Sequence, residues 1–189
     1  SMMACMDTTS PNKTSVVILT DKEETGSDGN TGLCSSYLKY FIHDLAECFG
    51  VNGRTVLSNS ECLSADVNAG FDPTYPEVAD KNNFAFLNYG VVVTKFTGSR
   101  GKSGTSDASA EFVGKVHNLL RDNGIIFQTG ELGKVDAGGG GTVAMYIANL
   151  DVNTIDVGVP VLCMHAPFEV VAKTDVYMAY KSFYVFMNE

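Results

Sequence analysis

Positive charge is scarce in this chain. Thirteen Lys and Arg stand against 22 Asp and Glu, giving a net charge of −9 over 189 residues. Nucleic acid and anionic membrane are therefore poor partners. Long apolar runs are also lacking: none approaches the ~20 residues needed to span a bilayer. No basic stretch followed by an apolar core marks a secretory leader at the N-terminus. The five cysteines (Cys5, Cys34, Cys48, Cys62, Cys163) are odd in number, scattered and never spaced C-x-x-C. That argues against a cysteine zinc site and reads as reduced cytoplasmic thiols used mostly for packing. Repeats and low-complexity tracts are absent. What remains is a globular composition, 44% hydrophobic, of a size that fits one domain or a piece of a larger one.

Periodicity gives the organisation. Ser15–Thr20 (SVVILT) is a short β-branched run expected to be a strand buried on both faces. Leu33–Phe49 carries Tyr37, Leu38, Phe41, Ile42 and Leu45 at helical spacing, with Gly50 as a stop. Thr55–Val67 reads as extended, and Asp72–Asn83 as a loop with a helical turn. Val91–Phe96 is another strand, and residues 98–104 (GSRGKSG) form a mobile turn. Asp107 caps a helix reaching about Asn123, with Phe112, Val116 and Leu120 on one face and Gly124 as its stop. Ile125–Phe127 is a short strand. Residues 138–142 (GGGGT) open a helix through Ile147. Thr154–Leu162 holds one or two strands, and Thr174–Phe186 is the last helix. Strands alternating with helices predict a three-layer α/β/α domain with a mostly parallel or mixed sheet.

In open α/β sheets, sites gather at the carboxyl ends of strands. Three unusual polar groups fall there. Asp21, Glu23 and Glu24 follow the first apolar run, Asp66 follows the second extended segment, and His165 follows the late strand. Clustered carboxylates repel, and a divalent cation would offset that repulsion. Two carboxylates and an imidazole suit Zn²⁺. One of the two glutamates would ligate and the other act as general base toward a water. Each residue also has an ordinary explanation: a solvated acidic turn, an Asp capping a turn, a His bonded to backbone beside Pro167. His43 and His117 lie within helical patterns and are read as structural. The glycine run either cradles a phosphate at a helix start or lets a substrate backbone approach closely.

DKEETGS (21–27), SADV (64–67), GGGGT (138–142) and GVPVLCMHAPFEV (158–170) occur in that order. The series resembles the M18 family of zinc aminopeptidases, from about Ser15 to Phe186. The resemblance implies a catalytic domain of the zinc-peptidase type, a two-zinc site, removal of N-terminal residues from peptides, and assembly into homo-oligomers. It matches Glu23 with the general base, and Glu24, Asp66 and His165 with metal ligands. Lys95 matches a substrate-contacting lysine, and Gly139 and Gly140 line the same cleft. The family pattern also uses an H-x-D histidine and a bridging aspartate that have no counterpart here. A substrate-contacting histidine of some relatives is replaced by Ala69. Residues 1–189 are thus expected to be the C-terminal part of the catalytic domain, without its upstream segment and dimerisation domain, and to be inactive alone. The alternative is a non-catalytic fragment or paralogue that keeps the fold for assembly or ligand binding.

Overall fold

Three consecutive valines form the centre of the molecule. Val91, Val92 and Val93 are each 1% exposed or less, which requires neighbours on both sides and both faces. The computed structural model describes residues 1–100, 103–134 and 136–189. In chain order its elements are α1 (Met2–Asp7), α2 (Tyr37–Cys48), α3 (Gly53–Ser58), β1 (Glu61–Ser64), β2 (Asn68–Ala69), β3 (Val91–Thr94), β4 (Phe96–Ser99), β5 (Ser103–Asp107), α4 (Ala110–Asp122), β6 (Phe127–Thr129), α5 (Ala144–Ala148), β7 (Asn153–Gly158), β8 (Pro160–Leu162), β9 (Val170–Val171) and α6 (Lys173–Met187). The main sheet has the order β1-β7-β3-β6. It is mixed: β1 runs parallel to β7 and β3 to β6, while β3 and β7 are antiparallel. A second sheet, β2-β8-β9, continues from it, and β4 and β5 make a hairpin.

Alternation along the strands divides the two faces. Val91, Val93, Ile155 and Val157 pack with Phe112, Val116 and Leu120 of α4 and Ala179 and Phe183 of α6. Around the other face, Leu57 of α3, Ile147 of α5 and Val152 collect Leu38 and Ile42 of α2. The α/β/α layering is therefore as the sequence predicts. So are the α4 stripe, the stop at Gly124 (φ +64°) and the strands spanning 154–162.

Several boundaries differ. Ser15–Thr20 is not a strand. It runs past β1 across a cavity of about 160 Å³ shared with Cys62, Leu63 and Ser64, so it makes no ladder, and Leu19 is 73% exposed. Thr55–Ser58 is helical rather than extended, because the Asn52 side chain accepts the Arg54 N–H and starts α3. Asp107 ends β5, and Ser109 caps α4 by accepting the Phe112 N–H at 3.3 Å. The turn at 98–104 is largely the β4–β5 hairpin; Gly101 and Lys102 lie outside the described residues. The glycine run stays irregular, and α5 begins only at Ala144. All five cysteines are free, but Cys34, Cys48 and Cys163 are exposed on turns and a helix end, so only Cys5 and Cys62 serve packing. Burial pushes the Cys62 thiol up to about 12. No helix among the described residues is long and apolar enough to cross a membrane.

Candidate active site

Three separate segments build the site. The first is the acidic turn. Lys22 (φ +65°) and Gly26 (φ +94°) bracket a single 3-10 turn, Glu23–Thr25. Behind it the chain knots on itself: the Ser27 N–H donates to Lys22 O at 2.7 Å, and Cys34 N–H to Ser27 O at 3.0 Å. A Cβ on Gly32 would lie 2.1 Å from Ser27 O, so glycine alone closes the knot. Ser27 at the base of this loop is buried, while Glu23 and Glu24 are exposed.

The second segment carries Asp66. After Ser64 the chain leaves the main sheet and crosses over the end of β7 on its way to β2. Gly158 makes that crossing possible, since a Cβ there would sit 1.6 Å from Asp66 O. The third segment carries His165, on the loop between β8 and β9. His165 has φ +66°.

These segments meet. His165 Nε2 lies 3.2 Å from Glu24 Oε2. Both side chains are about two-thirds exposed or more, at 66% and 71%, so the pair contributes at most about 1 kcal/mol. Burial raises the Glu23 carboxyl above the usual carboxylate range; the charges of Asp66 and Glu24 push the same way, and His165 opposes them. Asp66 is raised as well, first by burial and also by Glu24, against the backbone N–H groups of Val143 and Val67. Four residues separated by as many as 142 positions therefore share one electrostatic neighbourhood.

Behind Asp66 lies a polar row that the sequence did not reveal. Ser64, Asp156 and Thr94 stand directly opposite one another across β1, β7 and β3. Thr142 Oγ1 donates to Asp156 Oδ2 at 2.8 Å, and Asn68 Nδ2 donates to Thr94 Oγ1 at 2.7 Å. All five are buried. Burial first, and then the charge of Asp66, pushes the Asp156 carboxyl up to about 7. One signal could have identified it: Asp156 is the sole charge in β7 and stands between Ile155 and Val157, where carboxylates are rare unless partnered. Glu169, which accepts the His165 N–H, was also missed.

The other expected residues have neighbours of their own. Lys95 pairs with Asp107 at the base of the hairpin and lines a cavity of about 110 Å³ with His117 and Glu131. In the glycine run, a Cβ on Gly139 would meet Gly98 O at 2.3 Å, and one on Gly141 would meet Gly104 O at 2.9 Å. The run is thus approached closely by the chain's own hairpin, and of its four glycines Gly140 alone has open space where a Cβ would stand. His43 packs its ring against Gly53. His117 lies against Phe127 with ring centroids 4.9 Å apart. Both act as packing groups.

The donor types fit zinc, since carboxylate and neutral imidazole are its ordinary oxygen and nitrogen ligands. The Glu24–His165 pair presents one bite, and Asp66 stands apart from it. Among the described residues, no group of three or more His, Cys, Asp or Glu side chains is disposed to hold a metal ion.

Comparison with known proteins identifies the family. The family profile described as Aminopeptidase I zinc metalloprotease (M18) matches residues 1–187. A probable M18 family aminopeptidase 1 of Clostridium acetobutylicum is 43% identical over 192 residues, covering 100% of this chain and 41% of the relative. The crystal structure of aminopeptidase I from the same organism superposes with a TM-score of 0.93 at 43% identity, over 99% of this chain and 41% of that one. The Saccharomyces cerevisiae mApe1 dodecamer gives a TM-score of 0.73 at 27% identity, over 88% of this chain and 36% of that one. The chain thus spans about two fifths of the length of the relatives it matches. With the profile running over nearly every residue, the chain belongs to the M18 family of aminopeptidase I zinc metalloproteases.

Proposed function

We propose that this chain supplies the base and part of the ligand set of a two-zinc aminopeptidase, which removes N-terminal residues from peptides. The observation that carries the reading is the Glu24–His165 contact at 3.2 Å, with Glu23 and Asp66 close enough for their charges to act on one another. Glu24, Asp66 and His165 would hold the metal. Bound zinc would supply Lewis acidity toward the scissile carbonyl and toward water. Glu23 takes the proton from the attacking water and passes it to the leaving amine; its raised carboxyl holds that proton more readily than an ordinary glutamate. Lys95, Gly139 and Gly140 would contact the peptide, with Gly140 the open position of the glycine run.

That residues 1–189 correspond to the C-terminal part of such a catalytic domain belongs to the same proposal. Matching about two fifths of the relatives' length supports it. Homo-oligomeric assembly is supported by the yeast dodecamer and by an exposed apolar groove of about 460 Å³ between residues 16–20 and α2. A cytoplasmic location rests on the free thiols. The non-catalytic alternative draws on the lack of a closed three-ligand cluster among the described residues.

Calorimetry with Zn²⁺ and hydrolysis of aminoacyl chromogenic substrates separate the two. Weak zinc binding lost in His165→Ala is expected for the chain alone, with little turnover. In the longer protein, Glu23→Gln should lower turnover by about 10²–10⁴-fold while zinc stays bound. Turnover within tenfold of wild type in Glu23→Gln removes the base from the reading.

A further inference from the structure

His165 occupies a backbone conformation that its residue type disfavours. Ala166 N–H donates to Cys163 O at 2.9 Å, closing a turn over residues 163–166. His165 is third in that turn with φ +66°, and Cys163, its first residue, has φ +58°. A positive φ at the third position is ordinarily supplied by Gly or Asn. Two such residues in one turn persist only where the surroundings over-determine them. The hairpin base gives limited support: β8 and β9 are joined through Val161↔Val171 and Leu162↔Val170. Residues 163–169 between them are mostly exposed.

One side chain supplies the missing restraint. Glu169, the last residue before β9, turns back so that its Oε1 accepts the His165 backbone N–H at 2.6 Å. A carboxylate accepting an N–H is a short, charge-assisted bond, stronger than a neutral one. His165 is thereby held at both ends: its backbone by Glu169, and its imidazole opposite Glu24. Release of the backbone bond lets the turn relax to negative φ, which swings the ring away from Glu24.

We propose that Glu169 is a positioning residue for His165, its carboxylate holding the left-handed turn that aims the imidazole at Glu24. The proposal rests on the reading of His165 as a zinc ligand, and the experiment separates the two. Amide exchange at His165 is followed by NMR in the metal-free chain, and Zn²⁺ affinity by calorimetry, in wild type, Glu169→Ala, Glu169→Gln and His165→Ala. Glu169→Ala should speed His165 amide exchange about tenfold and weaken zinc binding about tenfold, the lower end of what partners of metal ligands contribute. Glu169→Gln keeps an acceptor oxygen and should restore both to within about threefold. A Glu169→Ala chain that matches wild type in His165 exchange overturns the proposal. So does Glu169→Gln failing as completely as Ala, since net charge rather than the bond would then be responsible. If wild-type zinc binding is indifferent to His165→Ala, the metal reading fails, and the exchange comparison alone decides the clamp.

Discussion

Gly158→Ala tests the geometry on which the position of Asp66 depends. A methyl group at residue 158 would lie 1.6 Å from Asp66 O, 2.7 Å from Asp66 C and 3.2 Å from Val67 Cα. An ordinary C···O contact is roughly 3.3 Å, so the crossing segment must lift by roughly 1.7 Å. Every atom met is backbone, and no side chain can rotate out of the way. Overpacking of a rigid interior costs about 1–3 kcal/mol, and backbone on both sides places this change at about 3 kcal/mol. With a urea m-value of about 2–3 kcal/mol/M, the unfolding midpoint should fall by about 1 M. The same shift displaces Asp66 itself. Gly114→Ala provides the control: nothing lies within 4 Å of its Cβ on α4, so alanine should stabilise by about 1 kcal/mol through helix propensity alone. Tyrosine fluorescence or far-UV circular dichroism reports both transitions, the chain having 8 Tyr and no Trp. A Gly158→Ala midpoint equal to wild type would refute the close crossing.

Asp156 titrates at about 7 when folded against an ordinary value of 3.8. The folded state therefore binds this proton more tightly, and the stability it contributes is full below about pH 4 and lost as pH rises through 7. The advantage of Asp156→Asn over wild type in urea unfolding should grow as pH rises from 5 to 8; a difference that is the same at both would refute the assignment. Thr142→Val removes the donor to Asp156 Oδ2 and should cost about 1–3 kcal/mol in thermal unfolding, with Thr142→Ser recovering most of it. His165→Gly relieves the positive φ and should leave stability equal to or above wild type by up to about 1 kcal/mol, read as an unchanged or higher melting temperature, while zinc binding falls; a lower melting temperature would mean that the turn is not strained.

Sequence alone determined the layered α/β class, the α4 stripe and the order of the four motifs. These depend on local periodicity and on residue types that have few alternative uses: Phe112, Val116 and Leu120 at helical spacing, or three valines in a row. It also singled out Glu23, Glu24, Asp66 and His165, because charge at the end of an apolar run is unusual wherever it occurs. It misread Ser15–Thr20, since a β-branched run specifies a preference for extended chain but not a partner strand, and the structure separates this run from β1 by a cavity. It read the glycine run as room for a substrate and did not foresee that Gly139 also admits the hairpin carbonyl of Gly98. It passed over Asp156 and Glu169, whose meaning depends on what lies opposite. Asp156 acquires its environment from Ser64, Thr94 and Thr142, which reach it only through strand register and the start of α5. Glu169 becomes informative only once the turn before it is seen to be left-handed. Local chemistry is written along the chain, but burial, register and positive φ are settled by long-range packing, and these decide which carboxylates carry charge and where each one points.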